Sequence, residues 1–182
     1  MRAMEGGFTL IELMVVLAIA GIVLTIGLPM FGDALQRTRV SALTHALSAD
    51  IASARSHAIT RQASVYVCPT TNGEACTPGQ DWSGGWLVFH DPDGNRRPDR
   101  SEDLISVERL HESPSRGALT VRASRPQLRY QRDGRSAHSN LTLSICAGAI
   151  LEAQVVVNNT GRMRVHRAAD GAPCPGTPGS RG

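Results

Sequence analysis

The sequence predicts an α+β chain in which one long N-terminal helix precedes a domain of short strands, and three observations carry that expectation. Residues 8–28 form an apolar run in which Glu12 is the only ionisable side chain. Past Pro29, apolar residues recur at three- and four-residue steps as far as Ala58. Beyond Gln62 the period shortens to two, and runs rich in Val, Ile, Leu and Thr alternate with clusters of Gly, Pro, Asn and Asp. A period near 3.6 marks a helix face and a period of 2 a strand face.

As a helix rising 1.5 Å per residue, the first run spans about 31 Å, enough to cross one bilayer core. An unpaired carboxylate in such a helix costs on the order of 2.5–3.5 kcal/mol, so Glu12 needs a partner. Cutting the chain after Gly7 would create one, a free α-amine on Phe8 about one helical turn away. The pattern Gly7-Phe8-Thr9-Leu10-Ile11-Glu12 behind a short leader resembles the class III signal of type IV pilins and type II secretion pseudopilins. The resemblance implies that a membrane prepilin peptidase cuts between Gly7 and Phe8 and methylates the new N-terminus on Phe8. It also implies that Glu12 aids docking of one subunit on another. Translation from Met1 or from Met4 leaves that cut unchanged. A secretory signal is a poorer fit, because it would carry a basic n-region and a small-residue cleavage site after the run. A plain signal anchor has no use for Glu12 or for the paired glycines. Arg37 and Arg39 lie beyond the run, so charge bias does not orient it and the topology rests on the resemblance.

Leu35, Val40, Leu43, Leu47, Ile51, Ala54 and Ala58 define the apolar stripe of an amphipathic continuation. Pro29 removes one backbone hydrogen bond and should kink the rod without ending it, which gives one helix over residues 8–61. Strands are expected at 64–68, 85–90, 104–111, 119–122, 127–131, 141–146, 153–157 and 162–166. Asp133-Gly134 and Asn158-Asn159-Thr160-Gly161 supply hairpin turns. The tail from residue 168 is rich in Gly and Pro and should be disordered apart from a tether at Cys174. The divisions are therefore a leader at 1–7, a transmembrane helix at 8–28, its amphipathic continuation at 29–61, a strand domain at 62–167 and a flexible tail at 168–182. The strand domain is large enough for a core of its own.

Four cysteines follow the membrane run, and an even number in an exported domain suggests disulfides. Three pairings are open. Cys68 with Cys76 and Cys146 with Cys174 are favoured, because each closes a local loop. Zinc is disfavoured by the absence of Cys-x-x-Cys and by scattered histidines.

The segment Trp82-Ser83-Gly84-Gly85-Trp86-Leu87-Val88-Phe89, followed by Asp91-Pro92-Asp93-Gly94-Asn95, resembles the Trp-Gly-Trp strand and Asp-rich turn of the GspH/FimT minor pilins. With the N-terminal signal, the likeness covers most of residues 6–167. It implies a pilin-like fold, the long helix packed on an antiparallel β-sandwich. It also implies a protein of the bacterial inner membrane, single-pass with a periplasmic C-terminal domain, that enters a pilus fibre beside other pilin subunits.

Asp91, Asp93, Asn95, Asp99 and Glu102 fall on calcium-loop positions, but Arg96 stands where that loop needs glycine. A solvated hairpin turn is the better reading. No nucleophile with a base, buried carboxylate pair or phosphate-cradling glycine loop is evident, so neither catalysis nor a cofactor is expected. All nineteen basic residues are arginine, and residues 117–182 carry a net +6 against −3 for residues 1–116. A polyanion would settle on the C-terminal third.

There, Gly161-Arg162-Met163-Arg164-Val165-His166-Arg167 leaves a turn and enters a strand. Alternation would set Arg162, Arg164 and His166 on one face and send Met163 and Val165 to the core. Two guanidiniums about 7 Å apart match the spacing of successive phosphates. The run resembles the Gly-Arg-x-Arg motif of FimT-type minor pilins, which bind DNA for uptake in natural transformation. The resemblance gives Gly161, Arg162 and Arg164 as DNA-binding residues, and charge alone adds Arg167 and Arg181. An edge strand kept soluble by arginines would carry the same residues. Beyond Phe89 the only aromatic is Tyr130, so stacking platforms for single strands are missing and double-stranded DNA is favoured. Two alternatives stay open: a minor pseudopilin of a type II secretion system without DNA binding, and a membrane-anchored periplasmic enzyme.

Overall fold

The structure is a computed structural model that describes residues 9–110, 118–136 and 138–176, with the backbone alone at 26–30. The expected cut at Gly7 and Phe8, His111 and Arg181 lie outside the described residues. The chain forms two compact units, one ending at Arg39 and the other beginning at Val40.

In the first unit the helix α1 (Leu10–Arg61) begins at a side-chain cap. Thr9 Oγ1 accepts the Glu12 N–H at 3.3 Å, the bond of an N-cap residue to the third helical position. Leu10, Ile11, Leu13, Met14, Val15, Val16 and Leu17 are all 50–78 % exposed. Consecutive apolar residues exposed on every side make an apolar cylinder, not the stripe that a soluble helix buries. Among the described residues no helix is long and apolar enough to cross a membrane. The described side chains of the apolar run stop at Thr25, short of the residue 28 at which the sequence ends it. The backbone stays helical through Pro29, because the ring removes one donor and leaves the other hydrogen bonds in place.

In the second unit, α1 buries Leu43, Leu47, Ile51, Ala54 and Ala58. The expected stripe thus starts later than proposed, since Leu35 is 42 % exposed. Gln62 ends the helix with φ +51°, and its Nε2 donates to the Ile59 carbonyl at 2.8 Å.

Eight strands follow: β1 (Ser64–Pro69), β2 (Gly85–Asp91), β3 (Leu104–Arg109), β4 (Leu119–Ala123), β5 (Leu128–Tyr130), β6 (Leu141–Ala147), β7 (Ile150–Val157) and β8 (Met163–Arg167). They form two four-stranded sheets, ordered β3-β2-β1-β5 and β4-β6-β7-β8, and every pair is antiparallel. One core joins the helix stripe to Val65, Val67, Trp86 and Val88 of the first sheet and to Val121, Leu143, Ile145 and Val155 of the second. A smaller cluster of Tyr66, Cys68, Leu87 and Phe89 covers the other face of the first sheet. That makes β2 buried at all seven positions. Asp50 of α1 accepts hydrogen bonds from Trp86 Nε1 at 2.7 Å and Ser106 Oγ at 2.9 Å, tying the helix to β2 and β3.

Disulfides join Cys68 to Cys76 and Cys146 to Cys174. The second is the tether expected at Cys174, but the residues around it are ordered as well, against the expectation of a disordered tail from residue 168. Leu151 N–H donates to Ala172 O and Cys174 N–H to Ala149 O, both at 2.8 Å, and Ile150 bridges Pro173. Backbone hydrogen bonds and the disulfide order a segment, 168–176, that has no apolar periodicity.

Candidate functional site

The Gly-Arg-x-Arg run lies where two turns meet. Asn158 N–H donates to Arg162 O at 3.0 Å and Gly161 N–H to Asn158 O at 2.9 Å, closing the β7–β8 turn. Asn158 Oδ1 also accepts the Arg162 N–H at 2.9 Å. Gly161 has φ +77°, and a Cβ there would overlap the carbonyl oxygen of Gly134 in the β5–β6 turn. The Tyr130 hydroxyl donates to Gly161 O at 3.4 Å, and burial pushes its pKa up to about 12. Ser136 Oγ donates to Asn158 O. The glycine is therefore fixed by packing between turns, whatever its value to a ligand.

β8 is an edge strand, and its register assigns its faces. Met163 and Val165 lie opposite Val157 and Val155, both buried, so with Arg167 they share the core side of the sheet. Arg164 and His166 lie opposite Val156 and Gln154 on the outer side. Arg162 precedes them by alternation. The expectation that Val165 would be core is corrected, since it is 49 % exposed; at the sheet edge there is no further strand to cover it. Arg162, Arg164, His166 and Arg167 are exposed. Among the described residues neither Arg162 nor Arg164 forms an ion pair, because the one salt bridge found is Arg100–Glu102. Arg167 faces away from them.

The packing of the two turns also brings residues that linear reading could not place. Arg132 and Arg135 belong to the β5–β6 turn, held by Gly134 N–H on Gln131 O and Gln131 N–H on Arg135 O, each at 2.8 Å. Arg55 of α1 reaches the same corner: its Nη2 is 3.5 Å from Thr160 O, and its Nε is buried without a partner. No pattern on the helix announced Arg55, which sits beside the buried stripe.

The Asp-rich loop is a turn held by its own carboxylates. Asp91 accepts from Gly94 N–H at 2.9 Å and Arg96 N–H at 3.1 Å, and Asn95 Nδ2 bridges Asp93 and Asp99. Burial raises the Asp91 pKa, and neighbouring Asp93 adds to that. Among the described residues no group of three His, Cys, Asp or Glu could hold a metal ion.

Comparison with known proteins follows the same two regions. Residues 43–161 match the family described as type II transport protein GspH, and residues 2–28 match the prokaryotic N-terminal methylation motif. The pilin-like protein PilA1 of Thermus thermophilus is 29 % identical over 87 % of this chain and 97 % of its own. The type IV major fimbrial protein FimA of Dichelobacter nodosus is 49 % identical over 41 residues, 22 % of this chain and 26 % of its own. The crystal structure of the type IV minor pilin FimU of Pseudomonas aeruginosa superposes with a TM-score of 0.52 at 14 % identity. It covers 69 % of this chain and 91 % of its own, a likeness of fold. Membership also accounts for the apolar N-terminal cylinder, since such a subunit is anchored in a membrane and assembles with other pilins after processing. The helix-on-two-sheets architecture, the methylation motif and a profile match spanning most of the strand domain agree, and the chain belongs to the GspH family as a minor pilin of GspH/FimT type.

Proposed function

We propose that this minor pilin crosses the inner membrane once through residues 8–28, is cut between Gly7 and Phe8 and methylated on Phe8, and docks through Glu12. Its periplasmic domain binds duplex DNA through Arg162 and Arg164 and serves DNA uptake in natural transformation. The observation that carries the DNA reading is the edge strand β8. Arg162 and Arg164 are both exposed, share the outer face and have no carboxylate partner among the described residues. Guanidiniums so placed recognise phosphate oxygens without reading bases. Binding through a few phosphates is weak, sequence-independent and salt-sensitive, which suits a subunit that must hold DNA and later release it.

The test is a gel shift of a mixed-sequence duplex by the full-length protein in detergent micelles. Arg162→Ala/Arg164→Ala should lose most of the retardation; equal retardation by the double variant would falsify the assignment. A minor pseudopilin of a type II secretion system is the second reading, favoured by the family's own description as a transport protein. Deleting the gene separates the two, since loss of transformation with secretion intact supports DNA uptake and the reverse supports secretion.

A further inference from the structure

The second sheet has an outer face that the arginine motif does not exhaust. The pairing Arg122↔Ser144, Ser144↔Gln154 and Gln154↔His166 draws one row across all four strands. Directly opposed residues share a face, so Arg122 on β4 stands on the same side as Arg164 and His166 on β8. Three inter-strand steps separate the two edges, about 14 Å.

Between them is a cavity of 280 Å³ lined by Arg122, Ser124, Thr142, Ser144 and Gln154, with Pro175 and Gly176 of the C-terminal arm beside it. Its hydroxyls are set to donate. Ser144 is 4 % exposed, and its Oγ accepts from Gln154 Nε2 at 3.1 Å. Ser124 Oγ accepts the Thr142 N–H at 3.0 Å. Among the described residues neither O–H donates to an acceptor, so each is left for a ligand acceptor. Asp81 adjoins Arg122 through a β-bridge and interacts with its charge, yet its Oδ1 accepts from Ser83 N–H and Oγ, and no ion pair within 4.0 Å joins it to Arg122. Glu152, two residues before Gln154 on β7, falls at the register shift between β6 and β7. An exposed guanidinium with two hydroxyl donors is a set for an anionic, acceptor-only group.

We propose that the outer face of the second sheet is a track for the duplex backbone, entered at Arg162 and Arg164 and extending to Arg122, where the Ser124–Ser144 cavity under the C-terminal arm seats a phosphate. This rests on the DNA reading above and fixes the path of the strand. It excludes the alternative course along the Arg55–Arg135 corner. Three phosphate contacts then make the salt dependence steeper than the two-arginine motif gives.

The test is duplex binding by the full-length protein in micelles, read by fluorescence anisotropy with a labelled mixed-sequence duplex of about 30 base pairs at several salt concentrations. Three contacts predict a log–log slope of about −2.7, and so an affinity loss of about 40-fold between 50 and 200 mM salt. Arg122→Gln should bind more weakly throughout, with a slope of about −1.8 and a loss of about 12-fold. Arg122→Lys should restore the steeper slope, which separates a lost charge from a folding defect common to both variants. Arg135→Gln should match the wild type. A wild-type slope in Arg122→Gln, or a reduced slope in Arg135→Gln alone, would overturn the track while leaving the motif standing if Arg162→Ala/Arg164→Ala still loses binding. No duplex binding by the wild type would overturn the DNA reading itself.

Discussion

Gly161 carries two demands at one atom. Its φ of +77° and the Gly134 carbonyl where a Cβ would stand make the position structural before it is functional. Gly161→Ala should therefore cost about 2–3 kcal/mol, read as a fall in the urea midpoint, whereas Arg162→Ala should leave that midpoint within about 0.5 kcal/mol. A stable Gly161→Ala variant would mean that the two turns separate easily. His90 is a second residue whose surroundings decide its behaviour. It is 9 % exposed, neither ring nitrogen has a partner, and its ring meets that of His57 edge-on at 5.6 Å. Burial first, then the Arg61 charge and His57, push its pKa below the ordinary 6.5, with Asp103 pulling the other way. The unfolded chain takes up a proton near that ordinary value while the folded one resists it. Stability is thus held above about pH 6.5 and falls as the pH drops through the lowered folded value. Urea midpoints at about pH 7.5 and 5.5 should differ less in His90→Phe than in the wild type; an undiminished difference would assign the acid sensitivity to other groups.

At the level of elements, the two disulfides do unequal work. Cys146–Cys174 joins residues 28 apart and Cys68–Cys76 residues 8 apart, so the chain-entropy account gives about 3.6 and about 2.5 kcal/mol respectively. The longer bridge also holds the C-terminal arm along β7. Cys146→Ser/Cys174→Ser should lower the midpoint more than Cys68→Ser/Cys76→Ser and should raise amide exchange at Leu151 and Cys174; protection unchanged at both amides would mean that the hydrogen bonds suffice. That arm marks the limit of what the sequence discloses. The long helix and the eight strands were legible because hydrophobic period is local, and most strand ends agree within a residue or two. β7 begins earlier than expected, at Ile150, because Gly148 with φ +60° lets β6 turn back at once and extends the pairing to Ala147. Residues 168–176 are ordered by backbone bonds and a covalent tie, neither of which leaves an apolar pattern. The site divides in the same way. Alternation along β8 was readable for Arg162, Arg164 and His166, whereas Arg167, added to them by charge, is set on the other face only by the register. The approach of Arg55, the stacking of the two turns and the row from His166 to Arg122 arise from pairings between distant segments and have no linear trace.

For the whole molecule the question is what Glu12 contributes to assembly. An apolar cylinder exposed on all sides cannot be stable in water and finds its partners in lipid or in neighbouring helices. Glu12 sits at its N-terminal end, where the helix dipole favours a negative charge. Its own N–H is bound by Thr9 Oγ1, and Thr9 and Glu12 have the spacing of a capping box. Two roles therefore meet in one residue: the local cap, and the proposed docking role, in which its charge would pair with the α-amine of Phe8 on its own or a neighbouring subunit. They separate by substitution. Glu12→Gln keeps a side chain able to cap and removes the charge, whereas Thr9→Ala removes the cap and keeps the charge. If the ion pair drives docking, Glu12→Gln should be processed and membrane-held yet depleted from sheared filaments about tenfold, the equivalent of about 1.4 kcal/mol of lost pairing in an apolar setting, while Thr9→Ala loads normally. The reverse pattern would make Glu12 a helix cap and leave subunit docking to the apolar cylinder alone. Because the strand domain shares no residue with this end of the chain, duplex binding by purified Glu12→Gln should equal that of the wild type, which separates a failure to assemble from a failure to bind.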